Sequence, residues 1–423
     1  MSVHPLTWLF ALALLAALAT RLWLATRQMR HVAAHRSAVP PAFASRVSLE
    51  AHQRAADYTV AKTRFGLLAT AFGSALLLGW TLLGGLDALN EWVREAVLPR
   101  WGALPYELAL LSAFLVIGAV LDLPFECWRT FRIEQRFGFN RSTWRLFVAD
   151  LLKSALVAAV LGLPLAALVL WIMASTGGWW WLWVWAAWTT FNLLILVIYP
   201  TLIAPLFNKF EPLRDETLAA RVQTLMQRCG FAAKGLFVMD GSRRSAHGNA
   251  YFTGLGAAKR VVFFDTLLAA LTPGEVEAVL AHELGHFKRR HVLKRMVAMF
   301  ALSLAGLALL GWLASRSWFY TALGVSPNLA APNDALALLL FALALPVFGF
   351  FVSPLAARLS RRHEFEADAY ACAQASGADL ASALIKLHQD NASTLTPDPV
   401  YVRFYYSHPP AGERLAALSV SPA

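Results

Sequence analysis

The stretch AVLAHELGHFKRRH, residues 278 to 291, contains two histidines and a glutamate in the order H-E-x-x-H. On a helix, His282 and His286 project from one face, so both imidazoles can reach one ion. Zinc binds neutral imidazoles and lowers the pKa of a bound water to about 7. Glu283 is close enough to take a proton from that water. The motif predicts a hydrolytic zinc site; two histidines on a solvated helix face are the alternative interpretation.

The residues before this motif predict a helix with a well-defined start. Thr272 is a suitable N-cap, Pro273 suits the first helical position, and Glu275 completes a capping box three residues after the cap. The preceding segments 235–240, 249–255 and 260–265 are short, rich in β-branched and aromatic residues, and separated by glycines, so they predict a small sheet.

A catalytic zinc ion of this kind needs a third protein ligand and an open position. The continuation H-E-x-x-H-x-x-G-x-x-H is absent, because position 289 is Arg and position 292 is Val. On a continuous helix, His291 would lie about 140° round from His286. We therefore expect His291 to lie on the surface or behind the ligands, and the third ligand to come from elsewhere.

The stretch LSRRHEFEADAYACA, residues 359 to 373, offers that ligand. Glu364 and Asp368 lie at i and i+4 of a predicted helix and share a face, whereas Glu366 points away and His363 is off that face. One acid of the pair would bind the metal and the other would orient a ligand histidine. The alternative is that these acids only balance the two arginines of the same stretch.

The composition indicates an integral membrane protein. Of 423 residues, 58% are hydrophobic and only 15% are charged, and several segments run 18 or more residues without a charge. The three cysteines are widely separated and predict neither disulfides nor a cysteine-based metal site. Seven segments are long and apolar enough to span a bilayer: 5–24, 66–86, 108–125, 154–174, 180–202, 297–314 and 335–355.

The distribution of Lys and Arg predicts the orientation of these spans. Alternate loops contain 34 of the 37 basic residues, and Arg94, Arg100 and Arg316 are the exceptions. Basic residues mark the cytoplasmic side, so we expect the N-terminus outside and the C-terminus and the zinc site at the cytoplasmic face. This asymmetry accounts for the net charge of +11 without a nucleic-acid partner.

We therefore predict an all-α polytopic membrane protein with seven transmembrane helices and a small α+β cytoplasmic-side zinc peptidase domain. The predicted divisions are a membrane region 1–205 with cytoplasmic loops 26–65 and 126–153, the peptidase domain 206–296, two further spans within 297–355, and a C-terminal region 356–423.

Six stretches resemble the integral-membrane zinc peptidases of the Ste24 type, the CAAX prenyl protease group of the M48 peptidases. They are AHELGH, SRRHEFEADAYA, YYSHPPAGERL (405–415), EQRFGFNRST (134–143), YPTLIAPLFNKFEPL (199–213) and GSRRSAHGNAYFTGLGAAKRVVFFDTLL (241–268). They occur in order over nearly the whole chain. The resemblance implies a helical barrel that encloses a water-filled chamber, which is where polar groups are tolerated at membrane depth.

The resemblance also implies roles for individual residues. His282, His286 and Glu364 would bind one Zn²⁺, and Glu283 would be the general base; Asp368 is then the other acid of the carboxylate pair, behind the ligands. The same resemblance implies that Asn249 contacts the substrate backbone. It also implies that His408 is a catalytic and substrate-binding residue at the reacting carbonyl, with Arg414 beside it. The sequence adds that Asn249 opens a predicted strand, whose edge could pair with an extended peptide.

The expected function is zinc-dependent endopeptidase activity on a polypeptide that is lipidated or membrane-associated, in CAAX-type processing or membrane-protein quality control. The membrane would be the cytoplasmic membrane of a bacterium or the endoplasmic reticulum of a eukaryote. A transporter or channel is one alternative, for which polar residues such as Asn192 would be natural, although no internal repeat is evident. An inactive membrane scaffold is another.

Overall fold

The computed structural model describes residues 4–232, 235–253 and 260–420, and most of them are helical. The helices are α1 (Pro5–Ala34), α2 (Leu49–Trp80), α3 (Gly85–Trp101), α4 (Ala103–Trp128), α5 (Trp144–Ser175), α6 (Trp180–Ile198), α7 (Ala204–Phe207), α8 (Glu216–Arg228), α9 (Asp265–Ala270), α10 (Pro273–Lys288), α11 (His291–Ala314), α12 (Ser317–Ala322), α13 (Asp334–Gly349), α14 (Ser353–Gln374), α15 (Gly377–Asp390), α16 (Pro399–Tyr405) and α17 (Ala411–Val420). The strands are β1 (Phe210–Pro212), β2 (Leu236–Met239), β3 (Ala250–Thr253) and β4 (Arg260–Phe264).

Within the described residues, six helical segments are long and apolar enough to cross a membrane. They are Pro5–Ala34, Ala103–Glu134, Trp144–Ser175, Gly177–Phe207, His291–Ala314 and Asp334–Gln374. Helices α2 and α3 meet the same criterion only together and are bent by 54° at their junction. The seven predicted spans fall in these regions, so a polytopic helical membrane protein is confirmed, whereas the count of seven stays a prediction.

The membrane helices expose apolar side chains that a soluble protein would bury. Leu12, Leu115 and Leu302 are each more than 60% exposed, and each lies on a different candidate span. Hydrocarbon, unlike water, imposes no penalty on such a surface. The exposed apolar side chains therefore agree with the assignment of these helices as candidate membrane spans.

Residues 26–65, predicted as a cytoplasmic connection with a helix that starts near Ser48, contain the end of α1 and the first half of α2. Helix α2 begins at Leu49, where the Ser48 side chain accepts a hydrogen bond from the Ala51 N–H at 3.1 Å. The helix then continues into the predicted span without a break. The reason is that neither proline nor a left-handed glycine occurs between the cap and Trp80.

The small sheet has the strand order β1-β2-β4-β3. Strands β2 and β4 are parallel, with Leu236 opposite Val261, and the two outer pairs are antiparallel. The three predicted strands are confirmed over their described parts; residues 254 and 255 of the second lie outside the described residues. Strand β1 was not predicted, since three residues ending in proline carry no alternating pattern. Strand β3 lies at the edge of the sheet.

Helix α10 begins as predicted. The Thr272 hydroxyl accepts from the Glu275 N–H at 3.4 Å, and the Glu275 carboxylate accepts from the Thr272 N–H at 2.7 Å. The same carboxylate accepts from Ser382 and Lys386 of α15, each at 2.7 Å. The capping box therefore both starts α10 and attaches it to α15.

Candidate metal centre and active site

Helices α10 and α14 pack against each other and carry the candidate metal ligands. The Nε2 atoms of His282 and His286 lie 3.2 Å apart. Glu364 Oε2 is 3.5 Å from His282 Nε2, and Glu364 Oε1 is 3.3 Å from His286 Nε2. One ligand atom from each of the three residues lies within 4.8 Å of the other two. Across the three described ranges, this is the group of His, Cys, Asp or Glu side chains that meets this test.

A glycine permits this close approach of the two helices. A Cβ at Gly285 would lie 3.0 Å from both Cα and O of Ala367 and 3.2 Å from Cβ of Tyr370. Two of these atoms belong to the backbone of α14 and cannot rotate away. The glycine of HELGH therefore serves helix packing, and it lies between the two histidines whose partners are on α14.

The environment of the Glu364 carboxylate fits a bound cation. Its Oε2 atom is buried and accepts no hydrogen bond from any residue that the structure describes. A buried carboxylate oxygen without a donor is costly, and such groups in native proteins are usually compensated by a bound water or an ion. With two imidazoles beside it, each able to bind a metal in its neutral form, this oxygen fits a divalent metal.

His282 is oriented from behind by a buried ion pair. Its Nδ1 lies 2.8 Å from Asp368 Oδ1, and Arg414 donates from Nε to Asp368 Oδ2 at 2.8 Å and from Nη2 to Oδ1. Burial lowers the pKa of His282, but the neighbouring carboxylates of Asp368 and Glu364 outweigh it and raise that pKa to about 9. The carboxylates therefore make this site strongly attractive to a cation.

His286 is backed by His291 and, behind it, by Glu366, to which the sequence assigned no role. Its Nδ1 lies 3.0 Å from Nδ1 of His291, and Nε2 of His291 lies 3.1 Å from Glu366 Oε2. His291 is buried, so of its two predicted locations the one behind the ligands is correct. His363 is outside the metal group and stacks on His291, with the ring centroids 4.0 Å apart.

Of the remaining predicted site residues, His408 and Arg414 lie beside Glu364. His408 Nε2 is 3.5 Å from Glu364 Oε1, and Arg414 Nη1 is 4.0 Å from Glu364 Oε2. His408, Arg414 and Asn249 line one cavity of about 780 Å³. Asn249 is exposed and directly precedes the edge strand β3. Glu283 is half-buried, and none of the described residues donates a hydrogen bond to its carboxylate.

Comparisons with known proteins agree with this arrangement. Residues 28–209 match the family model described as CAAX prenyl protease N-terminal, five membrane helices, and residues 212–421 match peptidase family M48. The CAAX prenyl protease 1 homolog of Arabidopsis thaliana is 35% identical over 386 residues, which cover 90% of each chain. The chain belongs to peptidase family M48.

Other M48 relatives cover the chain to a similar extent. CAAX prenyl protease 1 of Saccharomyces cerevisiae is 31% identical over 401 residues, covering 90% of this chain and 88% of the relative. The crystal structure of S. mikatae Ste24p superposes with a TM-score of 0.90 at 29% identity, over 99% of this chain and all of the other. The predicted resemblance to the Ste24-type peptidases is confirmed.

Membership of family M48 and the structural match identify the protein as a membrane metalloprotease. A transporter or channel is not supported. Asn192, the polar residue that such a function would use, donates to the Trp188 carbonyl of its own helix at 2.8 Å. It forms part of no intramembrane polar network among the described residues.

Proposed function

We propose that this M48 peptidase is a zinc-dependent endopeptidase in which His282, His286 and Glu364 bind one Zn²⁺. Two imidazoles and one carboxylate are a known ligand set for a catalytic zinc with one open position. The observation that supports this most directly is the buried Glu364 oxygen without a donor, which lies beside two imidazole nitrogens.

The chain's own residues would carry the proton transfers. Bound zinc supplies Lewis-acid activation of water and of the scissile carbonyl. Glu283 takes the proton of the attacking water and delivers it to the leaving amine. Its carboxylate suits this role because no described residue donates a hydrogen bond to it.

Three further residues would bind the substrate. The His408 ring, beside Glu364, donates an N–H to the oxygen of the scissile carbonyl as negative charge develops there. Nη1 of Arg414 adds positive charge from the same side, while its other nitrogens hold Asp368. Asn249 binds the peptide backbone at the start of edge strand β3, which has a free edge for main-chain pairing in the described sheet.

The substrate would be a polypeptide anchored at the membrane, including prenylated C-terminal segments of the CAAX type. Relatives named CAAX prenyl protease support processing of this kind, and turnover of membrane proteins would use the same site. The Lys and Arg distribution supports an active site at the cytoplasmic face with the N-terminus outside. Residues 206–296 and 356–423 would form the catalytic region on that side. Comparing membrane proteomes of wild-type and Glu283→Gln cells would identify the substrates.

Two substitutions test the chemistry. We expect Glu283→Gln to retain zinc and lose proteolysis by at least about a hundredfold, because the proton acceptor is removed. Glu364→Ala should lose zinc, measured by atomic absorption on purified protein. Glu277→Gln, on the same helix and paired with surface arginines, is the matched control. Full activity in Glu283→Gln, or full zinc content in Glu364→Ala, would show the proposed roles to be wrong.

A further inference from the structure

The cavity beside the metal centre has an unbalanced charge. Besides Asn249, His408 and Arg414, the residues that line it include two cations, Arg21 of α1 and Lys62 of α2. Neither Asp nor Glu is among the described lining residues. Arg414 is neutralised by Asp368. The uncompensated positive charge of the wall therefore comes from Arg21 and Lys62.

Both cations lie against an aromatic ring rather than a carboxylate. The Lys62 ammonium is 4.5 Å from the ring centre of Tyr58, and the Arg21 guanidinium is 4.6 Å from the ring centre of Phe350. Within the part of the chain that the structure describes, neither forms an ion pair. The nearby acid Glu134 attracts Lys62 but forms no ion pair with it; its carboxylate accepts from the Tyr58 hydroxyl and is not part of the cavity lining. The rings fix the two cations and leave N–H groups without an acceptor.

One of these donors is an unsatisfied group inside the protein. Arg21 Nε is buried and has no hydrogen-bond partner among the described residues. A buried cationic donor without a partner is costly unless an anion compensates it, whereas the Lys62 side chain is exposed and keeps its ammonium accessible. Arg21 and Lys62 line the same cavity, so a ligand held there has both cations on its wall.

We propose that Arg21 and Lys62 form an anion subsite that binds a carboxylate of the peptide substrate during proteolysis. This proposal rests on the proposed function, because the same cavity holds the groups assigned to the scissile bond. A peptide offers two sources of a carboxylate, its C-terminus and an Asp or Glu side chain. A guanidinium and an ammonium on the neighbouring helices α1 and α2 suit either one through charge-assisted hydrogen bonds.

Binding can be measured separately from cleavage in the zinc-loaded Glu283→Gln protein. The probes are three fluorescent S-farnesylated decapeptides that end in Cys-Val-Leu-Ala as the free acid, Cys-Val-Leu-Ala as the amide, and Cys-Val-Leu-Asp as the amide. We expect the Ala amide to bind about tenfold more weakly than the free acid. If the Asp amide bound as tightly as the free acid, a side-chain carboxylate would also be accepted by the subsite.

Substitutions assign this preference to the two cations. Arg21→Gln and Lys62→Met should each weaken binding of the free acid about tenfold and leave binding of the Ala amide unchanged. Lys62→Arg should retain the preference. Arg64→Gln is the matched control, since Arg64 is on the same helix but outside the cavity lining.

Three outcomes would each overturn the subsite. The first is equal affinity of the Glu283→Gln protein for the three peptides, and the second is no binding of any peptide up to about 1 mM. The third is an undiminished preference for the free acid over the Ala amide after Arg21→Gln and Lys62→Met. Failure of the proposed hydrolysis would appear separately, as unchanged activity of Glu283→Gln relative to wild type. The two proposals can therefore fail independently.

Discussion

His282 and His286 each direct their Nε2 atom towards Glu364, but different groups lie behind the two rings. Behind His282 is Asp368, buried and bound by two nitrogens of Arg414. Behind His286 is a second imidazole, His291, and only beyond it a carboxylate, Glu366. His282 thus contacts a buried carboxylate directly, whereas His286 is linked through His291 to a carboxylate that is partly exposed at the surface.

The two arrangements reach the same tautomer by different routes. A carboxylate only accepts hydrogen bonds, so Asp368 requires a proton on His282 Nδ1 and leaves Nε2 free to bind a metal. On the other side, Glu366 requires the proton of His291 on Nε2. A neutral His291 then accepts at Nδ1, so His286 must donate from Nδ1. The relay therefore orients His286 without placing a second buried charge beside the metal.

The largest expected effect is at the direct carboxylate. Asp368→Ala removes the acceptor of His282 and leaves Arg414 buried without its partner. We expect zinc affinity to fall about a hundredfold and the free energy of unfolding to fall by about 3 kcal/mol. Chelator competition measures the first, and denaturant unfolding of zinc-free protein in detergent measures the second.

A double substitution separates the two effects. Asp368→Asn combined with Arg414→Gln removes both charges and leaves an amide oxygen that can accept from His282. This variant should recover much of the lost stability, since no charge remains buried alone. Zinc affinity of Asp368→Ala within twofold of wild type would mean that His282 is oriented without its carboxylate.

Local patterns in the sequence indicated the proposed ligands, but they left the location of His291 open and gave Glu366 no role. The H-E-x-x-H spacing and the Glu364 and Asp368 pair are local patterns on single helices, and periodicity predicts their faces. The location of His291 depends on a break that periodicity does not contain: α10 ends at Lys288, Arg290 has φ 57°, and α11 begins at His291. Extending one helix past this point gives the wrong direction for that ring.

Contacts between distant segments were likewise beyond local patterns. The pairing of β2 with β4 and the approach of α10 to α14 depend on which surfaces meet after folding. Gly285 is an example: a side chain at this position would collide with backbone atoms of Ala367, more than 80 residues later in the chain.

Gly285→Ala would disturb both histidines together. The added methyl meets backbone atoms at 3.0 Å, so α10 and α14 must separate by a few tenths of an ångström. Zinc sites tolerate deviations of about 0.2 Å, and we expect zinc affinity to fall about tenfold, measured by chelator competition. Gly274→Ala on the same helix is the control, because there the close atom is the tip of the flexible Asp379 side chain. Equal affinities of the two variants would contradict the packing role.

The smallest expected effect is at the outer end of the relay. Glu366→Leu removes the acceptor that sets the tautomer of His291, and zinc affinity should fall about five- to tenfold. Glu366→Gln should retain most of the affinity, because its amide oxygen can still accept from His291. Arg362→Gln should change affinity less than about twofold, since its ion pair with Glu366 is on the surface.

A double-mutant cycle distinguishes a relay from two independent contributions. His291→Leu should weaken zinc binding as much as Glu366→Leu does, because either change breaks the only described chain of hydrogen bonds behind His286. In the His291→Leu background, Glu366→Leu should then have no further effect, whereas the Asp368 and Glu366 changes should add. If the His291 and Glu366 effects were instead additive, the two residues would act separately, and His286 would owe its orientation to the helix alone.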